Sequence, residues 1–297
     1  MSQVTDAAVI GTGRMAPGIA TAFARAGARV VVLGRSLERA RAVARLAGRG
    51  VEARSLEPAS LRGVELVLET VVEDADVKLD LYARIQPWLE RDALLTTNTS
   101  GLRISELANG LRHQEAFAGL HFLYPADVTG VVEIIAGDAT SPGTIHALRG
   151  FAAQMGKAPI VARRDVPGFV WNRLQLALLR EALWLLDEGV ADIATIDAAV
   201  SDGLAARWLA SGPFATVDLG GGSTWTRVAA EVFPRLVSSS ASETLRKLGE
   251  RGGTFYEWTD DALAQLTDLR ARVLATSREV ATERRRVTPP PSAAERA

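Results

Sequence analysis

His121 and Glu133 are the residues of this chain best suited to moving a proton. The imidazole closes one apolar run, Phe117–Phe122, and the carboxylate sits inside another, Val131-Val132-Glu133-Ile134-Ile135. An acid inside such a run needs a partner, because an unpaired buried charge is costly. A histidine on a neighbouring strand would meet that need. The acid would in turn fix the imidazole tautomer and favour its protonated form. The residues alone leave a second reading open, a structural histidine beside an exposed edge glutamate. Two polar groups accompany the pair. Asn98-Thr99-Ser100 closes the strand-like segment Ala93–Thr97, and ligands of open α/β sheets lie beyond the carboxyl ends of strands. The same three residues also suit a turn with an N-cap. Asn172, in Pro167-Gly168-Phe169-Val170-Trp171-Asn172-Arg173-Leu174, stands near the start of a strongly apolar helix, where backbone can satisfy it.

A second chemistry is written at the start of the chain. The apolar run Ala8-Val9-Ile10 leads into Gly11-Thr12-Gly13-Arg14-Met15-Ala16-Pro17-Gly18, then into an alanine-rich helical pattern. Strand, glycine turn and helix in that order form a dinucleotide pyrophosphate site. Gly11 permits the tight turn, Gly13 lets backbone approach phosphate, and Ala16 keeps the helix close to the strand. Free N–H groups and a positive dipole end complete it. Gly11, Gly13, Arg14, Met15 and Ala16 are therefore the expected pyrophosphate loop, with Asn98 and Ser100 also near the cofactor. Where an NAD site carries an acidic residue for the ribose 2′-OH, this chain has Gly34-Arg35-Ser36. A glycine makes room for a 2′-phosphate, and Arg35 and Ser36 supply donors. NADP(H) is therefore favoured, with NAD(H) as the other cofactor. A merely solvated Arg35 is the alternative.

These groups need a scaffold, and the patterning supplies one. Strands are predicted at 4–10, 29–33, 51–53, 65–69, 93–97, 117–122, 131–135 and 159–162. Helices are predicted at 14–26, from Ser36 to 47, over Val77–Leu89, and from Ser141 to 154. The alternation predicts an α/β, Rossmann-type doubly wound, largely parallel sheet over 1–164. Beyond Asp165-Val166-Pro167-Gly168 no strand is evident. Helices are expected at 169–188, 193–203 behind Asp192, 224–234, 240–250 and 260–285. An all-helical domain over 165–286 and a polar, disordered tail at 287–297 follow.

The totals exclude several classes. With 34 basic and 35 acidic residues, the net charge is −1, so neither nucleic acid nor a membrane surface is an expected partner. There is no cysteine and there are three histidines, so no metal site is expected and a reducing cytoplasm suits the chain. The polar N-terminus reads as no signal peptide, and Leu174–Leu186 is interrupted by Arg180 and Glu181 and too short to span a bilayer.

Taken together, GTGRMAPGIA, LETVVEDADVK, NTSGLRI, GLHFLYP with VVEI, and VPGFVWNRL resemble the L-3-hydroxyacyl-CoA dehydrogenase family from Val9 to Trp258. The resemblance implies His121 as general base paired with Glu133, with Ser100 and Asn172 on the substrate oxygen. It places Glu73 and Lys78 near the cofactor, and makes Gly212-Pro213-Phe214 an inter-helix turn of a dimerising domain. The reaction implied is hydride exchange between the cofactor and a 3-hydroxyacyl thioester on coenzyme A or an acyl carrier protein. Three departures bear on the substrate. The ribose corner lacks its Asp, Tyr124 replaces an asparagine, and the segment 36–68 is too short for the family's lysine-rich helical excursion that holds coenzyme A. A free small hydroxy acid or polyol, of gulonate or carnitine type, is the alternative substrate. A cofactor-binding structural protein with decayed catalysis is the non-enzyme alternative.

Overall fold

The computed structural model describes residues 4–238, 243–251 and 254–287. Its chain forms two compact units, Met1–Arg173 and Leu174–Ala297. The first unit carries eight strands: β1 (Asp6–Ile10), β2 (Arg29–Gly34), β3 (Val51–Ser55), β4 (Leu66–Glu69), β5 (Leu94–Thr97), β6 (Phe117–His121), β7 (Val131–Ile135) and β8 (Ala158–Ala162). They form one sheet in the order β3-β2-β1-β4-β5-β6-β7-β8. All neighbours are parallel except β6 and β7, which pair antiparallel. Five helices belong to this unit: α1 (Ala16–Arg25), α2 (Leu37–Ala47), α3 (Ala75–Ile85), α4 (Ile104–Leu107) and α5 (Pro142–Gln154).

Successive strand residues point to opposite faces, and both faces are buried. In β1, Ala7 and Val9 join a core with Ile19, Phe23, Leu148 and Phe151. Ala8 and Ile10 join another with Tyr82, Ile85, Leu95 and Ile104. The helices start where short polar side chains can cap them. Ser36 accepts from Arg39 N–H, Asp74 from Val77 N–H and Ser141 from Thr144 N–H.

The second unit contains no strand among its described residues. Its helices are α6 (Trp171–Asp187), which begins in the first unit, α7 (Ile193–Ala198), α8 (Ala206–Ala210), α9 (Gly212–Gly220), α10 (Gly222–Val232), α11 (Glu243–Arg251) and α12 (Asp260–Val287). Several boundaries differ from the sequence reading. Arg14 and Met15 lie in the loop, because α1 starts only at Ala16. The helix expected from 169 starts at Trp171, because Gly168 and Phe169 take left-handed φ values of 78° and 49°. The helix expected over 193–203 widens after Ala198 into a π-helical stretch, Ala199–Ala205. Gly212-Pro213-Phe214 opens α9, an element not anticipated, with Pro213 in its first turn. The segment 165–171 is fastened to the first unit, since Asp165 accepts from Ser105 N–H of α4 at 2.7 Å and Phe169 is buried in the core layer with Tyr82. Val287 ends α12, and the rest of the expected tail lies outside the described residues.

Candidate active site

The antiparallel pairing of β6 with β7 decides the geometry of the His121–Glu133 pair. Its register sets His121 directly opposite Glu133. His121 Nδ1 lies 2.7 Å from Glu133 Oε2, with the carboxylate fully buried and the imidazole 4% exposed. With Nδ1 committed to the acid, Nε2 is the nitrogen left for exchange with a substrate. The edge-glutamate alternative is excluded by that burial.

The polar residues of β5's end serve different tasks. Asn98 Oδ1 accepts from Phe122 N–H at 2.8 Å, tying the end of β5 to the end of β6. Ser100 is held through its backbone: its N–H donates to Glu73 Oε1 at 2.7 Å, and its carbonyl accepts from Asn172 Nδ2 at 3.0 Å. The structure thus places Ser100 and Asn172 side by side. Glu73 Oε1 also accepts from Thr99 Oγ1 at 2.5 Å and Gly101 N–H at 3.1 Å, so its carboxylate shapes this loop.

Lys78 sits behind Glu73, the other residue expected near the cofactor. Its side chain is 1% exposed, and its ammonium donates to both oxygens of the buried Glu69 at 2.9 and 3.0 Å. It also lies 3.6 Å from Glu73 Oε2. Tyr82 Oη completes this cluster, donating to Glu69 Oε1 at 2.7 Å. Burial, then the Glu69 charge, push the Tyr82 phenol well above its ordinary range. Sequence reading missed Glu69 and Tyr82. The signal was available: Glu69 ends an apolar run, the pattern that singled out Glu133.

At the glycine loop, a Cβ on Gly11 would lie 2.5 Å from the carbonyl oxygen of Thr70, and its φ of 140° suits only glycine. Gly13 is different, since nothing lies within 4 Å of its Cβ position. The helix behind it has no side-chain cap at Met15. An open glycine before an uncapped helix start fits a pyrophosphate. Arg14 extends over the Tyr124 ring at 4.0 Å. The loop bearing Tyr124 is pinned from below, where buried Lys157 donates to the carbonyls of Ala126 at 2.7 Å and Thr129 at 2.5 Å.

The ribose corner is closely packed around Gly34. A Cβ on Gly34 would meet Thr12 Cγ2 at 2.8 Å. Ser36 Oγ is likewise engaged, as the cap of α2. Arg35 is exposed and has no hydrogen-bond or ion-pair partner among the described residues.

Residues 42–166 match the family model described as 3-hydroxyacyl-CoA dehydrogenase, NAD binding domain. Residues 168–256 match its C-terminal domain. The chain is 32% identical to 5-formyl-3-hydroxy-2-methylpyridine 4-carboxylate 5-dehydrogenase of Mesorhizobium japonicum, over 93% of this chain and 98% of that one. This chain belongs to the 3-hydroxyacyl-CoA dehydrogenase family. It is an oxidoreductase, a nicotinamide-dependent dehydrogenase of the hydroxyacyl and hydroxy-acid type. A second relative, L-carnitine dehydrogenase of a Pseudomonas species, is 34% identical over 68% of this chain and 69% of its own length. The crystal structure of the same formyl-pyridine dehydrogenase, described as an NAD+ dependent dismutase, superposes with a TM-score of 0.88. That match has 29% identity and covers 94% of this chain and 99% of the other. Residues 6–76 also match a model described as NADP oxidoreductase coenzyme F420-dependent.

Proposed function

We propose that this family member oxidises or reduces a small free hydroxy acid, with His121 as general base and acid and Glu133 as its charged partner. The observation that carries the reading is the buried 2.7 Å contact between Nδ1 and Oε2. Bound nicotinamide would supply the hydride acceptor or donor. In oxidation, His121 Nε2 takes the hydroxyl proton; in reduction, the imidazolium returns it. Glu133 stabilises the imidazolium. Ser100 and Asn172 direct hydrogen bonds at the substrate oxygen.

A free acid is favoured by two supports. Only α2, β3 and a short turn connect β2 to β4, so the family's coenzyme-A excursion has no counterpart. Two relatives are named for substrates that carry a carboxylate, the formyl-pyridine carboxylate and carnitine. The second reading is a 3-hydroxyacyl thioester on coenzyme A or a carrier protein, favoured by the description of both matching family models. For the cofactor we favour NADP(H) over NAD(H), since Arg35 offers an unpaired cation where no carboxylate would repel a 2′-phosphate. We further propose a homodimer, because Phe214, Leu219 and Phe233 of the helical unit are 86%, 82% and 70% exposed.

Turnover of free 3-hydroxy acids, acetoacetyl-CoA and a 3-hydroxyacyl carrier protein, each with both cofactors, separates the readings. Activity confined to thioesters overturns the free-acid reading. Cofactor binding without any turnover makes the chain a binding protein. His121→Ala is expected to cost about 10²–10⁴ in kcat/KM, and a loss below about tenfold would remove the base assignment.

A further inference from the structure

Glu133 serves more than the histidine. While Oε2 meets His121, Oε1 accepts the backbone N–H groups of Val170 at 3.1 Å and Trp171 at 2.8 Å. These N–H groups stand at the start of α6, where helical geometry leaves donors without intrahelical partners and places a positive dipole end. A carboxylate so placed shares its charge between an imidazole and a helix.

The chain reaches this arrangement through an uncommon turn. Gly168 and Phe169 are successive left-handed residues, and Phe169 is the only described non-glycine residue with positive φ, at 49°. A bulky side chain rarely adopts that conformation, so its surroundings must enforce it. Phe169 N–H donates to the Val166 carbonyl at 2.9 Å, and Arg173 N–H donates to the Gly168 carbonyl at 3.1 Å. The result aims the Phe169 ring inward, 1% exposed, with its centroid 5.9 Å from that of His121 at 62° between planes. One turn therefore touches both members of the pair. Among the described residues, no other charged group lies within hydrogen-bond or ion-pair reach of His121 or Glu133.

We propose that the turn 167–171 is the orienting third part of the proton-transfer assembly. Phe169 is a positioning residue that sets the imidazole plane. The Val170 and Trp171 N–H groups hold Glu133 and take up part of its charge, so that the acid does not retain the proton on His121 too strongly. The kinetic consequence rests on the hydride-transfer reading; the placement of the dyad does not.

Proline is tolerated at the first position of a helix, so Trp171→Pro deletes one N–H donor to Glu133, and Trp171→Ala controls for the indole. His121 is one of three histidines, so its titration can be followed by NMR without substrate. Trp171→Pro is expected to raise the midpoint of that titration by about half a unit or more over Trp171→Ala, because an uncompensated carboxylate favours the imidazolium. Identical midpoints overturn the charge-sharing part. Phe169→Leu and Phe169→Gly keep both N–H groups, and the second also relieves the left-handed backbone. Both are expected to lower kcat about tenfold with KM little changed, as misorientation of a base does. Wild-type kcat in these two variants overturns the positioning role, even if Trp171→Pro does not fold. A shifted titration in a protein that turns over no hydroxy acid refutes the proposed substrate and leaves the turn's role standing.

Discussion

A glutamine at 133 would keep the size of the side chain and reverse half of its hydrogen bonding. Glu133 now accepts from three N–H groups, those of His121, Val170 and Trp171. An amide offers one acceptor oxygen and an NH₂ group that must face a donor. Glu133→Gln is therefore expected to lower kcat about 10²-fold or more with little change in cofactor binding, read by steady-state kinetics and a fluorescence titration. Arg35 gives a second test at this scale. As an exposed cation, it contributes only through a phosphate that reaches it. Arg35→Ala is expected to lower kcat/KM for NADPH about tenfold while leaving that for NADH nearly unchanged. An equal effect on both cofactors would assign Arg35 to general solvation.

At the scale of elements, the link from β4 to α3 holds the polar loop at the end of β5. Glu69 on β4 meets Lys78 and Tyr82 on α3, and Lys78 backs Glu73, which gathers Thr99, Ser100 and Gly101. The buried phenol gives this link a pH signature. Its folded pKa is raised above the ordinary value of 10.0, so its contribution is complete below about pH 10 and is lost as pH rises further. Urea midpoints measured from pH 8 to 11 should fall above pH 10, and Tyr82→Phe should reduce that fall. The sheet and most helices were legible because polar caps bracket apolar runs: Ser36, Ser141 and Asp192 all accept the bonds expected of an N-cap. The dyad was half legible, since its two residues could be named but only the β6–β7 register shows them face to face. Two things were hidden. The Glu69 cluster depends on a helix facing a strand, and the apolar, glycine-flanked sequence of α9 carries no amphipathic period.

For the whole molecule, the helical unit leaves several large apolar side chains open to solvent. Phe214 and Leu219 of α9 and Val228 and Val232 of α10 are exposed, as are Leu263, Leu266 and Leu269 of α12. These side chains are the surface on which the proposed homodimer rests. Light scattering after size exclusion is expected to give twice the chain mass of 31.7 kDa, and Phe214→Glu with Leu219→Glu is expected to shift the mass toward that of one chain. A monomeric wild type would remove the dimer. No helix among the described residues is long and apolar enough to cross a membrane.

The contact between Gly34 and Thr12 constrains how such an enzyme can be redesigned. Cofactor preference in these folds is commonly set by an acidic residue at the end of the second strand. Here that substitution would press a new side chain against the threonine methyl, 2.8 Å from the Cβ position, inside the pyrophosphate loop itself. Gly34→Asp alone would therefore disturb both ends of the dinucleotide at once. Either the Thr12 methyl shifts or a smaller residue stands at 12. The two positions are therefore coupled in any redesign of this corner.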